Sequence, residues 1–246
     1  VQPMLRFFRQ IRQRVLTNNR FGTYLLYAFG EILLVVLGIL IALQIDTWND
    51  ERIQRKKESL ILKELHREFI ANKQQLDTTI YYHRGSFKSA EYIRSRLPLD
   101  LETINRDSIA FHLYRMGWIY TFNPSQGITK SLLNNATYEI ISNDELRQLL
   151  ISWNDVLADY QEEEIRGFNN YLNHLKPFEK EHFNLNLDYS KWLSDPRVDL
   201  SILETLAFDN YVQDRHNDIN EVLNNQSGEL DRIVETIDRI IELSGS

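Results

Sequence analysis

Twenty-two residues near the N-terminus, Tyr24 to Ile45 (YLLYAFGEILLVVLGILIALQI), constrain this chain more than any other segment. As an α-helix they extend roughly 33 Å at about 1.5 Å per residue, enough to cross the ~30 Å hydrocarbon core of a bilayer. Glu31 is the one ionisable residue in the stretch and Gln44 the one amide, and Ile32 to Leu43 carry no polar side chain. The run is longer than the apolar region of a secretory signal, and no small-residue cleavage site follows it before QIDTWNDER. The expectation is a transmembrane helix over residues 23–47 that stays in place as an anchor, in preference to a cleaved signal or a buried core helix.

The flanks predict its direction. Arg6, Arg9, Arg12, Arg14 and Arg20 precede the span with no acid among them, whereas Asp46, Asp50 and Glu51 open the far side. Basic residues close to a span resist translocation, so the N-terminus is expected in the cytoplasm and residues from 48 onward outside it. Arg52, Arg55, Lys56 and Lys57 argue the other way, but they are interleaved with acids and follow the span. Tyr24, Tyr27 and Trp48 stand where interfacial aromatic anchors stand. Within residues 1–22, Met4, Phe7, Phe8, Ile11, Val15 and Leu16 recur at helical spacing opposite the arginines. That pattern fits a basic amphipathic helix lying on an anionic inner leaflet, with a disordered basic tail as the simpler alternative. Asn18, Asn19 and Gly22 are expected to break the chain before the span.

Charge and composition bound the remainder. The formal charge is −7, with +2 from residues 1–50 and −9 from residues 51–246. An acidic outer domain excludes nucleic acid as partner, because phosphate binding needs a basic face. Without cysteine there are no disulfide staples, thiol nucleophiles or thiolate metal sites. Nine glycines and five prolines, with pervasive 3.6-residue periodicity, predict an all-α fold in which residues 48–246 make one helical bundle domain.

From Asp46 to Tyr82 there is neither proline nor glycine, and Ile53, Leu60, Ile61, Leu65, Phe69, Leu76 and Ile80 keep one stripe. The span is therefore expected to continue as a rod to about Gly85, or a few turns further to Leu97–Pro98, where proline disfavours helix in the preceding residue. A helix is expected over Ser108–Met116, and another from Ser125, as N-cap, to Asn135. Ser142 and Glu145 match a capping box opening a helix of about 30 residues whose stripe includes Leu146, Leu150, Trp153, Leu157, Tyr160, Tyr171 and Leu175. Residues 184–200 read as an irregular crossover, and Ser201–Leu243 as a last long helix with a possible break at Ser227–Gly228. Three long striped helices must bury their stripes on one another, which predicts an elongated antiparallel bundle continuous with the anchor.

The string FFRQIRQRVL…YLLYAFGEILLVVLGILIALQIDTWNDER resembles the signature of a domain-of-unknown-function family of small single-pass inner-membrane proteins from Bacteroidota. The resemblance covers residues 4–52 closely and NPSQGITKSLLNNATYEIISNDELRQLL more loosely. It implies a bacterial inner membrane, a periplasmic domain and a start at Met4, leaving Val1–Pro3 as upstream or foreign sequence. It transfers no catalytic residue.

Enzyme signatures are wanting: no G-x-S-x-G, phosphate-binding loop or dinucleotide fingerprint occurs. His174 and His182, with Glu179 and Glu181, come closest to a metal cluster, but their spacing straddles Pro177 and fits exposed polar residues at a helix end. Glu162, Glu163 and Glu164 read as a solvated helix face. Asn135-Ala-Thr137 and Asn225-Gln-Ser227 match a glycosylation acceptor that occurs often by chance. The expectation is no enzyme, no cofactor and no metal.

The distinctive constellation lies inside the span. Glu31, Val35, Gly38, Ala42 and Ile45 are separated by 4, 3, 4 and 3 residues and share one helix face. Gly38 and Ala42 form a small-xxx-small pair that allows close helix approach in lipid, and a carboxyl on the same face is costly against acyl chains. A homo-oligomer satisfies both, while a Glu31 that reaches back to the inner headgroups satisfies the carboxyl alone. Two roles follow from this. One is a homo-oligomeric scaffold or interaction protein of the cell envelope, with an unidentified envelope partner. The other is a sensing or channel-like device with Glu31 on the oligomer axis, against which stand the short cytoplasmic segment and a dry constriction at Val35, Gly38 and Ala42.

Overall fold

The computed structural model of the chain describes residues 19–135 and 137–245. Among these it is all-α, in the order α1 (Asn19–Arg94), α2 (Arg106–Met116), α3 (Gly127–Asn134), α4 (Asp144–Asn173), α5 (Leu175–His182), α6 (Leu206–Asn224) and α7 (Glu229–Ser244). Short 3₁₀ turns occupy Thr137–Ile140, Tyr189–Ser194 and Leu200–Glu204. The chain divides into two units, Val1–Lys57 and Glu58–Ser246.

In the first unit α1 is already helical at Asn19 and passes through Gly22, so the expected break at Asn19–Gly22 is not there. A run of ordinary helix formers on both sides outweighs one glycine, whose cost in a helix is about 1 kcal/mol. Arg6, Arg9, Arg12 and Arg14, and with them the interfacial helix, lie outside the described residues, as do the side chains of Tyr24 and Tyr27. The helix contains an 18-residue window of mean hydropathy 2.4, none of it buried, and is long and apolar enough to cross a membrane.

In the second unit the other helices cover the stripe of α1 from Ile61 onward, whereas Ile53 and Leu60, expected on the same stripe, are exposed. Leu65, Phe69, Leu76 and Ile80 pack in one core with Leu146, Leu150, Trp153 and Leu157 of α4 and Ile233, Ile237 and Ile240 of α7. Phe69 meets Trp153 edge to face, with centroids 5.0 Å apart. A second core joins Ala90 and Ile93 of α1 to Ile109, Leu113 and Met116 of α2, Tyr171 of α4 and Phe208 and Val212 of α6. The α1 helix ends at Arg94, three residues before Leu97–Pro98. Gly228, at φ 68° in the left-handed region, separates α6 from α7. The break expected at Ser227–Gly228 is therefore present, and the expected start at Ser201 moves to Leu206, after the 3₁₀ turn Leu200–Glu204.

Two expected caps are replaced, one by the neighbouring residue and one by a side chain of α1. Asn143, not Ser142, caps α4, its side chain accepting from the Leu146 N–H at 2.9 Å. Ser142 instead donates its N–H and hydroxyl to Glu58, and Glu145 accepts from Arg239 Nε at 2.6 Å and Nη2 at 2.7 Å. Ser125 is not the N-cap of α3 either. Asn72 of α1 exchanges two hydrogen bonds of 2.8 Å with the Ser125 backbone. The carboxylate of Glu68 accepts from Ile128 N at 2.8 Å, Thr129 N at 3.2 Å and Thr129 Oγ1 at 2.8 Å. A buried anion thus serves the unpaired N–H groups of the first turn of α3, where the helix dipole favours it.

Charge-assisted hydrogen bonds are worth about 1.5–3 kcal/mol each, and glutamine presents one acceptor oxygen in place of two. Glu68→Gln is expected to lower unfolding stability by about 2 kcal/mol, measured by chemical denaturation followed by circular dichroism.

Candidate functional site

The two cores are separated by a layer of polar side chains that occupy apolar-stripe positions. On α1, between Ile80 and Ala90, the stripe passes through His83 and Ser86. On α4, between Tyr160 and Tyr171, it passes through Glu164 and Gly167, and on α6, between Val212 and Val222, through Arg215. Ser86, Glu164 and Arg215 are all buried.

Arg215 organises this layer. Its Nε donates to Met116 O at 3.0 Å, and its Nη2 donates to Trp118 O at 2.7 Å and Ser86 Oγ at 3.4 Å. The Ser86 hydroxyl in turn donates to Met116 O at 2.6 Å. These bonds hold the carbonyls at the C-terminal end of α2, where a cation is favoured by the helix dipole. The guanidinium also lies 5.2 Å from the centroid of the Tyr171 ring. Burial pulls the Arg215 pKa down to about 10, which leaves it cationic at neutral pH.

Beside it, Glu179 of α5 is 1 % exposed and accepts on Oε2 from Tyr171 Oη and Lys176 Nζ, each at 3.0 Å. Its pKa is raised, with burial as the main cause and Lys176 opposing. Gly117 makes room for this pair, since a Cβ there would stand 2.9 Å from Tyr171 Oη and 3.3 Å from Glu179 Oε1. Asp218 follows one turn after Arg215 and accepts from Asn170 Nδ2 at 2.7 Å; burial raises its pKa too.

On the other side of Arg215, Glu164 Oε2 accepts from Phe122 N at 2.8 Å. Glu164 Oε1 stands 3.2 Å from His83 Nε2 but off the hydrogen-bonding direction, so both atoms are buried without a hydrogen-bond partner. Glu164 is therefore not part of a solvated acidic face, as the Glu162–Glu164 run suggested; Glu162 is exposed, Glu163 half-buried and Glu164 buried. Glu179 likewise is no exposed residue at a helix end, although His174 and Glu181 are exposed. The signal for both lies in spacing. Trp153, Leu157, Tyr160, Glu164, Gly167 and Tyr171 follow one another by 4, 3, 4, 3 and 4 residues, which puts Glu164 on the apolar stripe of α4. Among the described residues no three His, Asp or Glu side chains gather as a metal site.

The span residues stand apart from this layer. Glu31, Val35, Gly38, Ala42, Ile45 and Trp48 are all exposed along α1. A Cβ built on Gly38 meets nothing within 4 Å, so the small-residue face is open to a neighbour.

No family model, curated protein or solved structure matches the chain.

Because burial raises the pKa of Glu179, Asp218 and Glu163, the folded state holds these protons more tightly than the unfolded chain does. Their contribution to stability is full below the ordinary carboxyl value of 4.5 for Glu or 3.8 for Asp and is lost as pH rises through the raised values. His112, lowered by burial, acts in reverse and loses stability as pH falls below 6.5. Glu179→Gln is expected to flatten the decline of thermal stability as pH rises above the ordinary value of 4.5, by at most about 1.4 kcal/mol per pH unit for one proton. An unchanged slope in pH-resolved thermal denaturation would show that Glu179 is ionised in the fold.

Proposed function

We propose that the chain is a single-pass protein of a bacterial inner membrane that assembles as a homo-oligomer and serves as an envelope scaffold or interaction protein, not as an enzyme. The observation that carries the reading is the wholly exposed apolar window of α1. A soluble protein rarely leaves so large a contiguous apolar surface to water, whereas lipid covers it without any partner helix. The arginines before the span and the acids after it support a cytoplasmic N-terminus and a periplasmic domain.

Assembly through Glu31, Val35, Gly38, Ala42 and Ile45 is supported by the open Gly38 position and by the cost of a carboxyl in lipid. In an oligomer the Glu31 side chains face one another or shared water. The sensing or channel-like role would use the same face with Glu31 on its axis, but Val35, Gly38 and Ala42 offer no polar lining beyond it. The scaffold reading is the better supported.

Light scattering of the purified full chain in detergent is expected to give a homo-oligomer. Gly38→Ile, which puts a branched side chain where backbones approach, is expected to weaken association by about 1–2 kcal/mol, roughly five- to thirtyfold in Kd. A strictly monomeric wild type contradicts the oligomer, and an unaffected Gly38→Ile variant contradicts the assigned face.

A further inference from the structure

On the second unit Arg84 and Lys88 of α1 and Arg115 of α2 stand among exposed aromatic rings with no carboxylate beside them. Among the described residues their side chains make no ion pair and no hydrogen bond. Elsewhere on the same unit Arg94, Arg166, Arg232 and Arg239 each pair with an acid. Residues 51–246 carry −9, so acids are plentiful, yet none covers this patch.

Arg115 is held in one orientation without a counter-ion. Its guanidinium lies over the Trp118 ring at 4.9 Å and 5.8 Å from the centroid of Phe111. It crosses α1 at Gly85, where a Cβ would stand 2.9 Å from Nε and from Nη2. Nε is buried without a partner, whereas Nη1 and Nη2 are not buried and bond no acceptor among the described residues. A guanidinium fixed in this way presents the fork of N–H groups that a carboxylate fills.

The rings around it form one surface with the cations. Tyr81 is 61 % exposed, and Tyr114 and Tyr120 are 41 % exposed each. Trp118 links them, since Tyr114 and Tyr82 meet its ring edge to face at 6.2 and 5.1 Å. Tyr82 in turn stacks on Tyr120 at 3.6 Å and meets Tyr81 at 5.4 Å. Tyr81, Gly85 and Lys88 follow one another by 4 and 3 residues and share a face of α1, with Arg84 at its border. Tyrosine, tryptophan and arginine carry much of the binding energy at protein interfaces, and rings already packed lose little freedom when a partner arrives.

Charge selects the partner. His112, stacked on Tyr92 at 3.8 Å, has its pKa lowered by burial and then by Arg96 and Arg115, the sign of a positive local field. A basic segment is repelled by that field. A polyanion such as nucleic acid needs a longer basic face and is repelled by the acidic balance of the rest of the domain. A short acidic segment with apolar side chains between its carboxylates matches the patch in both charge and surface.

We infer that this face docks an acidic peptide segment of a partner protein. One carboxylate enters the Arg115 fork, others lie near Arg84 and Lys88, and the apolar side chains rest on Tyr81, Tyr114 and Tyr120. The inference rests on the reading of the chain as an interaction protein and gives its partner a chemistry, while the homo-oligomer seen by light scattering stands or falls separately.

The test is fluorescence anisotropy on the full chain in a non-ionic detergent, with a rhodamine-labelled peptide of repeated Gly-Glu-Phe units. Peptides of Gly-Gln-Phe and Gly-Lys-Phe are the neutral and basic counterparts, and inorganic phosphate and oligothymidylate are the competitors. The acidic peptide is expected to bind saturably, about tenfold more tightly than either counterpart, and more weakly as salt is added. Arg115→Lys, which keeps the charge and loses the fork, and Lys88→Glu, at an exposed position, are each expected to weaken binding about tenfold. The melting temperature of Lys88→Glu is expected to stay unchanged. Lys63→Glu, the same charge change about seven turns earlier on α1, is expected to leave binding intact. Absence of binding overturns the inference, as does equal affinity for the Gln peptide or binding that survives both Arg115→Lys and Lys88→Glu. Displacement by phosphate or oligothymidylate at lower concentration than by unlabelled acidic peptide overturns it too. An oligomer that falls apart on Lys88→Glu assigns the face to a second copy of the chain and likewise overturns it.

Discussion

The hydrophobic effect acts on the two parts of α1 with opposite results. In the second unit its apolar stripe, from Leu65 to Ile93, is removed from water by α2, α4, α6 and α7, and the rest of the helix surface is mostly polar. In the first unit Ile32 to Leu43 are apolar around the whole circumference, and no other segment of the described chain covers them. A stripe can be buried by neighbouring helices, but a full cylinder needs an apolar solvent or a ring of partners. The proposed anchoring and assembly follow from that difference.

Within the second unit the structure accepts a costly arrangement between its two cores. A purely apolar stripe would have joined them, yet His83, Ser86, Glu164 and Arg215 occupy the join. An isolated buried charge costs several kcal/mol, so each must be compensated locally. Arg215 is compensated by main-chain carbonyls, Glu68 by a helix N-terminus and Glu179 by Lys176 and Tyr171. Glu164 and His83 face each other at 3.2 Å without a well-directed hydrogen bond between them. Buried polar side chains also fix register: Asn72, Glu68 and Ser86 each bond a specific backbone group on another segment, which nonpolar contacts alone would not specify.

Much of this was legible in the sequence. The apolar cylinder, the stripes of α1 and α4, the break near Gly228 and the all-α class follow from periodicity and from glycine and proline placement. The cap of α3 and the partner of Ser142 were not legible, because Glu68 and Glu58 reach them from about sixty and eighty residues away, whereas the cap of α4, Asn143, is local and stands one residue after the serine that the pattern named. Local patterns named Ser125 and Ser142, and both are polar residues beside a helix start that found better partners in α1. Glu164 and Arg215 were readable in principle, since each sits in phase with a hydrophobic stripe. Their identity as acids and bases masked that phase, and Glu164 was further hidden by two neighbours that do face solvent or lie half-buried. The polar layer combines α1, α4, α6 and the segment after α2, a convergence no local pattern encodes.

The most direct test of the membrane account uses the absence of cysteine, which lets single thiols be introduced without background. Gln10→Cys, Ile41→Cys and Ser95→Cys would be placed one at a time in the full chain, expressed in bacterial cells and treated with a membrane-impermeant maleimide. The account predicts labelling of Ser95→Cys once the outer membrane is permeabilised, labelling of Gln10→Cys only after the inner membrane is also opened, and none of Ile41→Cys in either state. Equal labelling of all three in a membrane-free soluble fraction would contradict it.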